Sequence, residues 1–314
     1  MDITLVRTFL EVSATGSFVS ASDRLFVTQS AVSLRIQRLE ESLGKPLFKR
    51  SKAGAELTPA GREFERYAIS LIKIWEEARQ QVGIPKGFSR SLTIGAQYSL
   101  WPRLGFQWID ALRDTLPDLS VRAELGMPDR LTRFLIEGVI QVGLMYNPQM
   151  RPGLNAEKLV DEELVLASAR QDRLEDIADH YVFVDWGPEF LHAHALELPE
   201  LTNPGLTLSL GALAADYILN RGRAAYLPAR YIKRHLDAGA LFLVPDAPRF
   251  PYPVWSVWRD DLDDDIREKA GQALHAVQQR IQDAQTEVIA ELRDISENQE
   301  IDVLGQSESN GNDG

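Results

Sequence analysis

Thr28-Gln29-Ser30-Ala31-Val32-Ser33-Leu34-Arg35-Ile36-Gln37-Arg38-Leu39-Glu40-Glu41-Ser42-Leu43-Gly44 is the stretch on which the fold of this 314-residue chain turns. Thr28 is suited to cap a helix that runs from Gln29 to about Leu43, where Gly44 stops it. At 100° per residue, Val32, Ile36, Leu39 and Leu43 fall within about 60° of one another, a narrow stripe to be buried. Ser30, Ser33, Leu34, Gln37 and Arg38 lie on the other side. A helix with small and amide side chains facing outward fits a major groove about 12 Å wide. Gln29, in the first turn, can pair with adenine, and the serines can meet bases or phosphates. Taken alone, such a surface is more often an ordinary solvated face, so the neighbouring segments decide.

Upstream, Ile3, Val6, Phe9 and Leu10 recur at helical spacing over roughly residues 3–14. Gly16 ends that helix, and Ser17 can cap a second one carrying Phe18, Ala21 and Leu25 on one face. Phe26-Val27-Thr28 is a short break. Downstream, Pro46 to Arg50 and Ala55 to Thr58 read as two short strands around Ser51-Lys52-Ala53-Gly54, with Lys49, Arg50 and Lys52 concentrated on the hairpin. Three helices followed by a basic hairpin make a winged helix-turn-helix, the wing suited to a minor groove or its flanking phosphates.

Thr58 and Pro59 open a long helix that continues to about Val82. Phe64, Leu71 and Ala78 are spaced by seven, and so are Ala60, Tyr67 and Ile74; Ala68, Trp75 and Val82 widen the stripe. Two interleaved seven-residue rows form the seam of a helix that pairs with another. Packing of the same stripe on its own domain is the alternative.

The strings Phe9-Leu10-Glu11-Val12, Gly16-Ser17-Phe18, Ala21 to Leu25, Thr28 to Ser33, Ile36 to Glu40, Leu43-Gly44, Leu47 to Arg50 and Leu57 to Gly61 resemble the DNA-binding domain of LysR-type transcriptional regulators. The likeness runs ungapped over about sixty residues. It implies that Gln29, Ser30 and Ser33 contact bases or phosphates, that Arg38 contacts phosphate and that Arg50 is the wing contact. Thr28, Leu34, Gln37 and Lys52 complete the expected DNA-binding set. Many family members carry arginine where this chain has Leu34. That apolar side chain either touches a thymine methyl or simply lies on the surface. The resemblance also makes the long helix a dimerisation helix, with Phe64, Tyr67, Leu71, Ile74 and Ala78 as its seam. A dimer, assembling further into a tetramer, implies an inverted-repeat target with half-sites about one helical turn apart. Contact with RNA polymerase is left open.

Charge divides along the chain in the same sense. Residues 1–90 hold 14 Lys and Arg against 10 Asp and Glu, whereas the remainder holds 20 against 36, within a net charge of −12. One part is thus fitted to face an anion and the rest is not. No cysteine occurs, which excludes disulfides and thiolate metal sites. No stretch of about 18 apolar residues is present to span a bilayer, and the first ten residues do not read as an export signal. A cytoplasmic protein without a membrane partner is expected.

Beyond a break at Gly83 to Ser89, strand-like and helix-like segments alternate: Leu92 to Gly95, Trp101 to Leu116, Leu119 to Leu125, Arg130 to Glu137 and Gln141 to Tyr146. Further strand-like segments are Leu164 to Ala167, Tyr181 to Val184, Leu206 to Leu210, Ala224 to Leu227, Leu241 to Val244 and Val254 to Trp258. Alternation of this kind points to parallel sheets covered by helices. A last helix is expected from about Leu262 to Leu292. By resemblance this part has the two-lobed, periplasmic-binding-protein-like fold of LysR-type effector domains, the chain crossing between lobes near 161–170 and returning near 250–258. The expected layout is α+β and multidomain. A winged helix-turn-helix occupies 1–58, a linker and dimerisation helix 59–82 and a hinge 83–90. The effector domain covers 91–295, and a disordered tail 296–314. Lobe I would take about 91–160 and 255–295, lobe II about 161–254. Ile94-Gly95-Ala96, Ser99-Leu100-Trp101, Gln107-Trp108, Trp186 to Phe190 and Leu227-Pro228 are similar to the HdfR-like branch of the family, associated with flagellar gene control.

A small-molecule effector should lie between the lobes, beyond the carboxyl ends of the strands. Gln97-Tyr98-Ser99-Leu100 follows the first strand, and Ser99 as N-cap would aim backbone N–H groups at an anion. Asp129, Tyr146 and Trp186 are the other expected effector neighbours, although each is equally suited to an ordinary cap or core position. No cofactor is expected. An enzyme is the main rival, yet the chain has no G-x-S-x-G elbow, P-loop or dinucleotide fingerprint, and no catalytic residue is assigned. His192 and His194 sit two apart on a helical run and so face apart, which argues against a metal site. A secreted solute-binding protein would share the second domain's fold but not the winged helix-turn-helix.

Overall fold

The computed structural model describes residues 2–51, 54–202 and 204–281, with the backbone alone at residues 50 and 51. Two compact units make up the chain. Of the described residues, one unit contains those through Thr93 with Asp118–Arg122 and Thr132–Gln141; the other contains Ile94–Pro117, Ala123–Leu131 and those from Val142 to residue 281.

In the first unit, α1 (Ile3–Thr15), α2 (Phe18–Leu25) and α3 (Gln29–Leu43) each start on a side-chain cap. Asp2, Ser17 and Thr28 accept from the backbone N–H groups of Thr4, Ser20 and Ala31, satisfying donors that a helix start leaves without partners. The antiparallel hairpin β1 (Phe48–Ser51) and β2 (Gly54–Leu57) follows. Then comes α4 (Pro59–Val82), capped by Thr58. Val6, Phe9, Val12, Phe18, Ala21, Val32, Ile36 and Leu39 form one core with Leu47, Phe48, Ala68 and Ile72. Phe9 is its hub, its ring centroid lying 5.2 Å from that of Phe48 and 5.0 Å from that of Phe64.

Gly54 ties the hairpin to this core. Its φ is +130°, and a Cβ there would fall 2.5 Å from the Gly16 carbonyl oxygen. The same carbonyl accepts the Ala55 N–H at 2.7 Å. Only glycine permits that approach and that backbone.

In the remainder, β3 (Arg90–Ala96), β4 (Leu119–Leu125), β5 (Val142–Tyr146) and β6 (Leu154–Val160) precede a second set of strands. These are β7 (Glu163–Ser168), β8 (Phe183–Val184), β9 (Thr207–Leu208), β10 (Ala224–Pro228), β11 (Phe242–Leu243) and β12 (Phe250–Pro251). The chain then re-enters the first set as β13 (Val254–Arg259). The first sheet runs β4-β3-β5-β13-β6, and the second β10-β7-β11 with β12 also on β7. The chain therefore crosses between sheets at residues 161–162 and returns at 252–253. The helices are α5 (Phe106–Thr115), α6 (Pro128–Ile136), α7 (Pro188–Glu197), α8 (Ala214–Arg221), α9 (Ala229–Asp237) and α10, described over residues 264–281. Trp108 on α5 donates its indole N–H to the Ala270 carbonyl at 2.9 Å and packs edge-on to Trp258 of β13. The proposed extent of the last helix to Leu292 and the tail at 296–314 lie outside the described residues.

Two sequence expectations need correction. β3 is parallel to β5, but β13 is antiparallel to β5 and β6, and β7 is antiparallel to β10, β11 and β12. A strand arriving from the other sheet enters from the opposite end, so strict alternation does not make both sheets parallel. The helix read as Trp101 to Leu116 is also broken. A 3₁₀ turn at Tyr98–Leu100 passes into a π turn at Trp101–Gly105 before α5 begins. Pro102 has no N–H to continue an α ladder, and the Trp101 ring lies against Gly105, which widens the turn. β6 and β12 had no counterpart in the sequence reading.

Candidate functional site

On α3 the sequence stripe is divided as its periodicity requires except at its last member: Leu43, expected in the buried row, is exposed at the helix end. Val32, Ile36 and Leu39 are buried, while Thr28, Gln29, Ser30, Leu34, Gln37 and Arg38 are exposed and Ser33 is half-buried. Gln37 is held at its outer end, donating to Glu41 at 2.8 Å. Arg35, on the flank, turns back toward α1 and donates to the Thr8 hydroxyl at 3.4 Å. The exposed surface of α3 thus carries hydroxyl, amide, leucine and arginine side chains, with the Glu41 carboxylate at its outer end.

Glu40 was not singled out in the sequence. Its Oε1 accepts the backbone N–H groups of Leu47 at 2.6 Å and Phe48 at 3.2 Å. A carboxylate on the last turns of α3 therefore fixes where the hairpin leaves, and with it the direction of the wing. An exposed-looking Glu-Glu pair carries no signal of this, because the partners are main-chain groups several residues away. Arg50 lies in β1; its side chain, and Lys52 altogether, lie outside the described residues. Lys49 is exposed.

The seam expected on α4 is split between two faces. Phe64 and Leu71 are partly buried against the winged-helix core. Tyr67 and Ile74 are 61% and 62% exposed, Trp75 and Val82 are also exposed, and so is Ala78. Tyr67, Ile74, Ala78 and Val82 follow one another at helical spacing, leaving an apolar stripe on this chain's surface.

In the second unit, a cavity of about 240 Å³ is lined by Tyr98, Ser99, Leu100 and Arg103 after β3, Tyr146 at the end of β5, Glu162 at the crossing, and Arg230 and Arg234 on α9. Ser99 does not cap a helix. It lies inside the 3₁₀ turn and donates to the Tyr146 hydroxyl at 3.4 Å. Gln97 precedes the turn, with its side chain committed to the Tyr146 N–H at 2.8 Å. The Tyr146 ring stacks on Tyr252 at 4.1 Å, and Trp186 meets Tyr252 edge-on while donating to the Tyr226 carbonyl. Tyr98, Ser99, Leu100 and Tyr146 thus gather at the cavity. Gln97 braces Tyr146, Trp186 does not line the cavity and packs on Tyr252 instead, and Asp129 lies elsewhere, accepting from Gln149 at 3.1 Å.

Glu162, Arg230, Arg103 and Arg234 escaped the sequence reading. Glu162 sits in a run of acidic residues that reads as solvated surface. Arg230 follows Pro228 at the end of β10, and a strand end was the available signal. Burial pushes the Glu162 carboxyl up to about 7, against the opposing effect of Arg230. Burial likewise lowers the Arg230 pKa and raises that of the Tyr146 hydroxyl. His192 is exposed and His194 buried, bonded to the Tyr181 hydroxyl at 2.8 Å. Among the described residues no cluster of His, Asp and Glu is placed to hold a metal, and no helix is long and apolar enough to cross a membrane.

A capped helix with a polar free face, a hairpin fixed to its end and a separate two-sheet part with a cavity define a winged helix-turn-helix regulator. Residues 3–62 match the model of the bacterial regulatory helix-turn-helix proteins of the LysR family, and residues 85–270 match the LysR substrate-binding domain. The chain belongs to the LysR family of DNA-binding transcription regulators. It is 30% identical over 266 residues to the HTH-type transcriptional regulator HdfR of Escherichia fergusonii, covering 84% of this chain and 94% of that one. A crystal structure of Vibrio fischeri DarR in complex with DNA covers 88% of this chain and 98% of that one, at a TM-score of 0.54 and 21% identity. Mycobacterium tuberculosis ArgP gives 0.51 and 23%, covering 88% and 97%.

Proposed function

We propose that this chain reads promoter DNA as a homodimer, assembling further into a tetramer, and that a small organic anion in the cavity of the second unit modulates it. The observation that carries the reading is the division of α3: the residues assigned to the groove are exposed or half-buried while Val32, Ile36 and Leu39 on the opposite side are sealed in the core. Thr28, Gln29, Ser30, Ser33, Leu34, Gln37 and Arg38 then line a major groove, with Arg50 and Lys52 on the flanking backbone. The exposed stripe of Tyr67, Ile74 and Ala78 supports pairing through α4, which sets two copies of α3 on an inverted repeat.

Arg103, Arg230 and Arg234 against one carboxylate favour an anion, and Leu100, Leu104 and Val160 favour an apolar body behind it. Binding there favours one arrangement of the lobes over another and so alters the bound DNA. The functional parts are 1–58 for DNA, 59–82 for dimerisation, 83–90 as hinge, and 91–295 for the effector, with lobe II over about 161–254. The protein acts in the cytoplasm and not as an enzyme; flagellar promoters are the first targets to examine. A salt-sensitive shift of selected duplex DNA is the expected result. Its absence at low salt would end the reading.

A further inference from the structure

Phe26 is placed against two physical preferences at once. It closes α2 in the left-handed conformation, with φ +54° and ψ +43°, and its side chain is 94% exposed. That backbone is one a residue with a Cβ resists, and glycine or asparagine ordinarily supplies it. The neighbouring helices follow the rule: α1 ends on Gly16 and α3 on Gly44, at φ +62° and +67°. At Phe26 the chain instead keeps a large aromatic ring that takes no part in the core around Phe9, Phe18 and Phe48. Fold stability explains neither the backbone nor the exposure.

The position of the residue supplies the explanation. The end of α2 leads, through Val27, straight into Thr28, Gln29 and Ser30, all exposed at the start of α3. Any duplex that admits the first turn of α3 brings bases close to residue 26. We propose that the Phe26 ring is a specificity contact with DNA, seated against the C5-methyl group of a thymine at the edge of the half-site. The proposal rests on the reading that α3 enters the major groove. Phenylalanine has no hydrogen bond to offer a base, and the thymine methyl is the apolar group that the major groove exposes. Burying one such carbon is worth about four-fold in affinity. This contact is separate from any made by Leu34, which lies in the second turn of α3.

The test uses the full chain and a duplex selected by it from a random pool. Each thymine is replaced singly by deoxyuridine, which removes the methyl and keeps the pairing. Phe26→Asn is the companion variant, because asparagine suits the left-handed backbone and should leave the thermal midpoint unchanged or raised. The expected result is one thymine per half-site whose loss of methyl weakens the wild type about four-fold and leaves Phe26→Asn unaffected. Leu34→Ala should remain sensitive at that same thymine. If every deoxyuridine acts equally on wild type and Phe26→Asn, the ring does not read a methyl and the proposal is overturned. A loss of oligomer in Phe26→Asn, with the methyl pattern intact, would place the ring against another protomer and overturn it too. Failure of the wild type to select any duplex would remove the α3 reading itself, a different outcome from selection without a Phe26-dependent thymine.

Discussion

Glu162 Oε2 stands 3.5 Å from the Arg230 Nε, and Glu162 Oε1 accepts the Glu163 backbone N–H at 3.0 Å. The Arg230 backbone N–H also bonds the carboxylate, whose side chain is only 3% exposed. Burial outweighs these partners and sets its pKa at about 7. The pair lines a cavity whose other charged groups are Arg103 and Arg234, so protonation of one buried group changes the charge that a ligand meets.

That shift has a definite sign for stability. The folded pKa lies above the ordinary value of 4.5, so the folded state binds the proton more tightly than the unfolded chain does. The contribution is complete below about pH 4.5 and is lost as pH rises through about 7. Urea unfolding at steps from pH 5 to 8 should show wild-type stability falling relative to Glu162→Gln across that window. A constant difference between the two proteins would mean that Glu162 is ionised throughout.

Anion binding should follow the same group. Arg230→Gln removes a charged donor from the cavity and should weaken a small carboxylate at least ten-fold, since hydrogen bonds to charged groups are worth about 1.5–3 kcal/mol. In the wild type, affinity should decline as pH rises through 7, because an ionised Glu162 repels the ligand. Titration calorimetry with a panel of aliphatic and aromatic carboxylates at two pH values checks both points. Equal affinity in Arg230→Gln would place the ligand elsewhere.

The winged helix-turn-helix was legible because its determinants are local. Thr28, Gly44 and the Val32–Ile36–Leu39 stripe act within a few residues of one another, and three-helix packing follows from where those stripes must go. The cavity was legible only in part. Tyr98, Ser99 and Tyr146 could be found from strand ends, yet Glu162 and Arg230 are 68 residues apart in sequence. Their meeting depends on strands that cross between sheets, and neither a short acidic run nor a single arginine predicts it. The split of the α4 stripe was hidden for a related reason: seven-residue spacing shows which residues share a face, but not whether this chain's own core takes some of them.

That split gives a paired prediction. Ile74→Asp puts a charge on the exposed side of α4 and should convert the dimer to monomer in sedimentation, with little change in the stability of the winged-helix core. Phe64→Ala should do the reverse, loosening the core around Phe9. Its loss should stay below the roughly 3 kcal/mol expected for a fully buried phenylalanine, because Phe64 is only half-buried. A monomeric Phe64→Ala of full stability would assign the seam the other way.

Glu40 connects the reading helix to the wing. Glu40→Ala deprives two backbone N–H groups of their acceptor, at a cost of about 2 kcal/mol in the stability of the N-terminal fold. If those bonds aim the wing, DNA affinity should fall by more than the loss of folded protein accounts for. Preference among bases should remain, because α3 itself is untouched. Affinity measured at a temperature where both proteins are fully folded separates the two effects; an unchanged value there would leave Glu40 a purely stabilising role.

Ser33 and Arg50 should fail in opposite ways, and the contrast decides what each does. Ser33 is half-buried on the outward side of α3; in the proposed reading its hydroxyl meets a base edge and so distinguishes one sequence from another. Removing it with Ser33→Ala should flatten preference at a single base position while leaving the response to salt as it was. Arg50 lies on β1 of the hairpin, and a guanidinium that neutralises one phosphate releases about one counterion whatever the sequence beneath it. Arg50→Ala should therefore weaken selected and unselected duplexes alike and reduce the slope of log affinity against log salt by about 1. Measuring both variants on both duplexes at several salt concentrations tests the roles together. A changed salt slope in Ser33→Ala, or a sequence-dependent loss in Arg50→Ala, would exchange the assignments of helix and wing.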